Sequence, residues 1–92
     1  MIEIFKALSH PVRYKMVRYM VEHPQCMTGE LVQFADLAQS TVSQHLKVLR
    51  DAALVRGEID GPATCYCLNH DTLAWFQRQV NEVTEQLATA CC

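Results

Sequence analysis

This 92-residue chain has no apolar run long enough to cross a bilayer, which takes about 20 residues as a helix. Its opening, MIEIFKALSHP, lacks the ordered basic, apolar and cleavage regions of a secretory signal. It has no glycine-rich loop to cradle a phosphate, and no Ser/His/Asp or Cys/His set at catalytic spacing. Both absences argue against an enzyme. No repeat, linker or low-complexity stretch divides the chain, so one domain covering residues 1–92 is expected. Net positive charge is missing too: the formal value is −2, whereas nucleic-acid-binding domains are often basic.

What is present narrows the class. Half the residues are apolar, which suits a globular chain, and one this small gains from dimerisation. Five cysteines without a secretory signal suit a reducing, cytoplasmic compartment, where thiols bind soft ions or sense oxidants. The charge is unevenly spread. Residues 1–56 hold seven cations and five anions, while residues 57–92 hold one cation and five anions. The first part can face phosphates; the second is acidic.

Ile4, Phe5 and Leu8 form an apolar stripe for a short first helix. Ser9 is the expected N-cap of a second helix, with His10 and a tolerated first-turn proline, Pro11, behind it. That helix runs to about Glu22, with Val12, Met16 and Met20 on one face and Arg13, Lys15 and Arg18 off it. His23-Pro24 ends it. Thr28 caps a third helix, and the turn from Asp36 to Gln39 leads to a fourth.

The fourth helix carries the most information. Val42, Leu46, Leu49 and Ala53 recur at helical spacing, so one face buries. Gln39, Ser40, Thr41, Ser43, Gln44, His45, Lys47 and Arg50 supply short donors, acceptors and cations, the groups that touch phosphates and base edges in DNA. Two strand-like runs follow, from Leu54 to Arg56 and from Ala63 to Leu68, joined by a turn at Asp60-Gly61-Pro62. The fold expected is mainly α with a small β-hairpin, a winged helix-turn-helix. Arg56 at the base of the hairpin is a further candidate for DNA contact. The last segment places Leu73, Phe76, Val80, Val83, Leu87 and Ala90 three and four residues apart, a two-per-heptad seam expected to pair terminal helices in a homodimer.

These elements resemble the ArsR/SmtB family of transcriptional repressors. ALSHPVRYKMVRYM is similar to the family's second-helix signature, GELVQFADLAQSTVSQHLKVLRDAALV to its helix-turn-helix, and CYCLN to the close of its wing. The resemblance implies a homodimer that binds double-stranded operator DNA and is released by an effector. Two departures stand out. Ala53 replaces the usual glycine after the reading helix, so the helix stop cannot rely on a left-handed glycine. The wing carries Glu58 and Asp60, which repel phosphates, where the family has basic residues.

The family's sensing sites differ among members. The segment matching its arsenite site, Val32 to Leu37, has no thiol. His70 and Asp71 match the start of its zinc site, but the last helix has no second histidine. Cysteines remain. Cys91 and Cys92 are adjacent, too constrained for an easy disulfide, and suit a soft thiol-seeking ion such as trivalent arsenic, as arsenite or an organoarsenical. Cys65 and Cys67 share one face of the second wing strand; they are additional candidate ligands, or small side chains on the inner face of the hairpin. Cys26 lies in a loop and is read as structural, with a third-ligand role left open. Two alternatives accompany the arsenic reading: a repressor that senses oxidants or reactive sulfur through these thiols, and a dimeric interaction module that no longer reads DNA.

Overall fold

Two helices meet at a break tied together by side-chain hydrogen bonds. The computed structural model describes residues 1–24, 26–60 and 63–89, with the backbone alone at 26–28, 58–60, 63 and 64. Helix α1 (Ile2–Leu8) is followed after Ser9-His10 by α2 (Pro11–Glu22). Ser9 does not cap α2: its hydroxyl donates to the Lys6 carbonyl at 2.7 Å and closes α1. His10 is the cap, with extended backbone and its Nδ1 accepting the Val12 amide at 3.1 Å. Histidine is an uncommon cap, which is why the sequence points to the serine. Arg13 reaches back to the carbonyls of Ala7 (2.7 Å) and Lys6 (3.2 Å), supplying donors and positive charge where α1 has spare carbonyls.

After α2 come β1 (Cys26–Met27), α3 (Thr28–Ala35), α4 (Gln39–Asp51), β2 (Val55–Asp60), β3 (Ala63–Leu68) and α5 (His70–Thr89). The Thr28 side chain, expected as a cap, and the expected turn residues Gly61 and Pro62 lie outside the described residues. Strand β1 corrects the loop expected around Cys26. It pairs antiparallel with β3, Cys26 opposite Tyr66, so the sheet order is β1-β3-β2. Two residues are too few to show alternation, so sequence pattern does not reveal such a strand.

The hairpin register places Val55 opposite Leu68 and Gly57 opposite Tyr66. A side chain at Gly57 would meet the Tyr66 ring at 2.7 Å, so glycine lets the ring lie across β2. The core joins Ile4 and Ala7 of α1, Met16 and Met20 of α2, Leu31 of α3, the inner face of α4, and Leu54, Val55 and Leu68.

α5 rests on this core near its start. Leu73 and Phe76 pack against it, and Phe76 meets Phe5 edge-on at 5.2 Å. Farther along, Val83 is 37% exposed and Leu87 67%, and α5 has no buried residue. The expected seam is therefore divided: Leu73 and Phe76 serve the domain, Val80 is half-buried, and Val83 and Leu87 stand open. Ala90 lies outside the described residues. No helix among the described residues is long and apolar enough to cross a membrane.

The end of α4 is a strained point of the described backbone. The Ala53 amide donates to Arg50 and the Leu54 amide to Leu49, at 2.9 and 3.0 Å, a Schellman arrangement with Ala53 in the left-handed region at φ 62°. The left-handed stop is thus kept without glycine. Leu54 and Leu49 are both fully buried, the apolar contact that accompanies this motif. Their burial holds Ala53 in a conformation costing about 1–2 kcal/mol. Glycine removes that strain and returns part of it as unfolded-chain entropy. Ala53→Gly should therefore raise stability by about 0.5–1 kcal/mol and Tm by roughly 4 °C, read by scanning calorimetry. An unchanged or lower Tm would show that the alanine is not strained.

Candidate nucleic-acid interface

α3 and α4 are joined by three residues, Asp36 to Ala38. Asp36 takes the left-handed conformation, φ 54°, which aspartate tolerates better than most residues, while its amide donates to Val32 at 3.0 Å. Ala38 is the N-cap of α4 and has no side chain with which to cap it. The first amides of α4 thus lack a side-chain acceptor, and an anion can take that place.

Val42, Leu46 and Leu49 are fully buried. At 100° per residue, Ser40, Gln44 and Lys47 fall on the opposite side, with Ser43 and Arg50 flanking them. All five are exposed, as is Gln39, and Thr41 is half-buried. The helix therefore offers a bare polar and cationic face with an unfilled N-terminus.

Two candidate contacts are placed differently from the rest. His45 is half-buried, and its ring lies against that of His10, centroids 4.6 Å apart. It sits on the flank of α4 turned toward the start of α2, away from the bare face. Burial, together with the nearby His10 and Arg13, lowers its pKa below the ordinary 6.5. His10 is thus a residue that sequence reasoning left as a helix start only. It caps α2 and also packs against the reading helix. Arg56 is exposed, but its guanidinium donates to Asn69 Oδ1 at 3.4 Å and lies 3.7 Å from Asp71. It ties β2 to the start of α5.

Cys65 and Cys67 also differ from expectation. Tyr66 and Leu68 face the core, so alternation sends both cysteines to the outer face of the sheet rather than the inner one. Both are half-exposed free thiols. Among the described residues no cluster of three or more His, Cys, Asp or Glu could hold a metal. Cys91 and Cys92 lie outside the described residues.

A family model described as a helix-turn-helix domain matches residues 8–58. The chain is 31% identical to the transcriptional repressor PagR of Bacillus anthracis over 88% of its own length and 81% of PagR. It is 40% identical to the HTH-type transcriptional repressor SmtB of Mycobacterium tuberculosis over 78% of its length, spanning about half (53%) of SmtB. The chain belongs to the ArsR/SmtB family of helix-turn-helix transcriptional repressors. The solved structure of PagR superposes with a TM-score of 0.65 at 33% identity, covering 73% of this chain and 76% of PagR. An ArsR family transcriptional regulator superposes at 0.83 with 19% identity, covering 97% of this chain and 91% of that one, which shows the shared fold. This ArsR/SmtB repressor is a DNA-binding regulator and not an enzyme.

The lowered pKa of His45 gives a pH dependence with a definite sign. The folded repressor holds fewer protons at this site than the unfolded chain. Its contribution is therefore intact above the ordinary value of 6.5 and is lost as pH falls below it through the lower folded-state pKa. Thermal melts from pH 8 to pH 5 should show a steeper loss of Tm for the wild type than for His45→Gln. Parallel curves would mean that His45 is freely solvated.

Proposed function

We propose that this repressor acts as a homodimer whose α4 helices read an operator, and that it lets go when trivalent arsenic binds cysteine thiolates at the end of α5. The observation that carries the DNA half is the bare face of α4, fixed in orientation by Val42, Leu46 and Leu49 at its back. The uncapped N-terminus of α4 accepts a phosphate, Ser43 and Gln44 reach base edges, and Lys47 and Arg50 face the backbone. In a two-fold dimer the two α4 helices enter successive major grooves about 34 Å apart.

The open part of α5 supports the dimer. Val80, Val83 and Leu87 continue the stripe that Leu73 and Phe76 begin, and among the described residues Leu87 is left 67% exposed. Phe5 on α1, which meets Phe76 of this stripe, is itself 47% exposed. Dimerisation along this stripe would leave the two α4 faces free.

The effector reading rests on chemistry. Adjacent Cys91 and Cys92 offer two soft donors immediately beyond α5. A solved structure described as a possible transcriptional regulator for arsenical resistance superposes with a TM-score of 0.75 at 25% identity, covering 95% of each chain. An ion held at the end of the pairing helices shifts the separation of the reading helices. A coupling of about 1–3 kcal/mol corresponds to roughly 5- to 150-fold weaker operator binding.

Three sets of variants test these parts. Val80→Asp should convert the dimer to monomer at micromolar concentration by light scattering; a persistent dimer would place the interface elsewhere. In fluorescence anisotropy, Gln44→Ala should narrow the gap between operator and random DNA by about 1–3 kcal/mol. Arg50→Ala should weaken both and reduce the salt slope by about one. Unchanged binding in both would exclude α4 from the interface. Cys91→Ser with Cys92→Ser should keep operator affinity and lose release by arsenite under full reduction. Release by peroxide or polysulfide, and not by arsenite, would instead support oxidant sensing.

A further inference from the structure

We infer that Cys65 and Cys67 form a second, independent dithiol site on the outer face of the wing, selective for trivalent arsenicals that bind two sulfurs. It is assigned to the wing thiols alone and does not depend on what releases the operator. Three observations place it. The two residues are i and i+2 on the central strand, so their side chains emerge on one face with Cα atoms about 6.6 Å apart. That face is the one opposite Tyr66 and Leu68, so neither thiol fills the core. Both are free and half-exposed, so a small reagent reaches them.

A strand holds this spacing more firmly than a tail does. β3 is paired on both sides, with Cys65 opposite Met27 and Glu58, and Cys67 opposite Arg56. Strand side chains adopt either of two common χ1 rotamers, so rotamers that swing the two sulfurs toward each other let them share one atom. Arg56 is exposed and pairs across from Cys67, so it lies on the same outer face of the sheet. A direct disulfide is a poorer use of the pair. Cβ atoms in a disulfide sit about 3.8 Å apart, closer than two rises of a paired strand allow without distorting it. A bridging arsenic atom spans the larger gap.

Phenylarsine oxide is the probe. Each arsenic takes two thiols: two S–As bonds form, both bonds from arsenic to its oxygen break, and the oxygen leaves as water with the two thiol protons. Arsenic remains trivalent and no redox partner is needed. The second thiol acts at high effective concentration, so binding by the pair exceeds binding by one thiol by roughly 10²–10⁴-fold.

Trypsin sorts the cysteines in the reduced wild-type protein. Cleavage after Arg18, Lys47, Arg56 and Arg78 places Cys26, the wing pair and the terminal pair on different peptides. The peptide from Gly57 to Arg78 holds only Cys65 and Cys67. Mass spectrometry should find one phenylarsenic unit on it, removed by excess dimercaptopropanol. Adduct on the peptide from Gln79 to Cys92 reports the terminal pair separately. In Cys26→Ser, Cys91→Ser, Cys92→Ser protein, one equivalent should still bind. Adding Cys67→Ser should weaken it at least about 100-fold while circular dichroism stays unchanged. A Gly57–Arg78 peptide that remains bare and fully alkylated by maleimide in the wild type overturns the inference, whatever the terminal peptide shows.

Discussion

Val42, Leu46 and Leu49 of α4 are buried completely, and α4 packs against α1, α2, α3 and β2 at once. Each large apolar side chain contributes about 1.5–3 kcal/mol by leaving water. Because the stripe is held from four directions, α4 can neither roll nor slide without opening the core. The polar face opposite is therefore presented at a fixed angle. A reading helix needs this rigidity, because a base-edge contact tolerates little misplacement. The exposed polar side chains Ser40, Ser43, Gln44, Lys47 and Arg50 are left for a ligand.

The far end of α4 is joined to both other parts of the molecule. Ala53 reverses the chain, Leu54 drops into the core, and Val55 starts the wing. The Asn69 amide returns from the end of β3 to the Leu54 carbonyl at 2.9 Å. Asn69 Oδ1 then accepts the Thr72 amide at the start of α5 and the Arg56 guanidinium of β2, each at 3.4 Å. Reading helix, wing and terminal helix share this one joint. It is a hydrogen-bonded route by which a displacement of α5 could reach α4, and it gives the proposed release a physical path. Its Arg56–Asp71 pair is well exposed and adds little stability by itself.

Much of the fold was legible from local pattern. The stripes on α2, α4 and α5 follow the helical period, and Pro11 and Pro24 mark boundaries at which the chain does change course. The bare face of α4 was legible for the same reason, since apolar spacing on one side assigns the rest to solvent. Less visible were features without a periodic signature. Strand β1 is too short to alternate. Ser9 and His10 both offer acceptors, and which one caps α2 depends on Ser9 being taken by the Lys6 carbonyl. The open stretch of α5 was visible as a stripe, but its division into a docked start and a bare remainder was not.

Alternation in the sequence by itself placed Cys65 and Cys67 on one side of β3, while the sequence grouped His45 with the DNA-facing residues of α4. Which side of the sheet meets the core was decided by Val55 and Leu68 packing inward, a contact between residues distant in the chain. That His45 leans on His10 depended on how α2 crosses α4. Ala53 shows the same division. Its sequence neighbours disfavour nothing but also demand nothing left-handed; the burial of Leu49 and Leu54 across the helix end imposes the conformation. Local preferences of about 1 kcal/mol choose helices, strands and turns, while the larger energy of burial chooses which faces meet and overrides a preference where the two conflict.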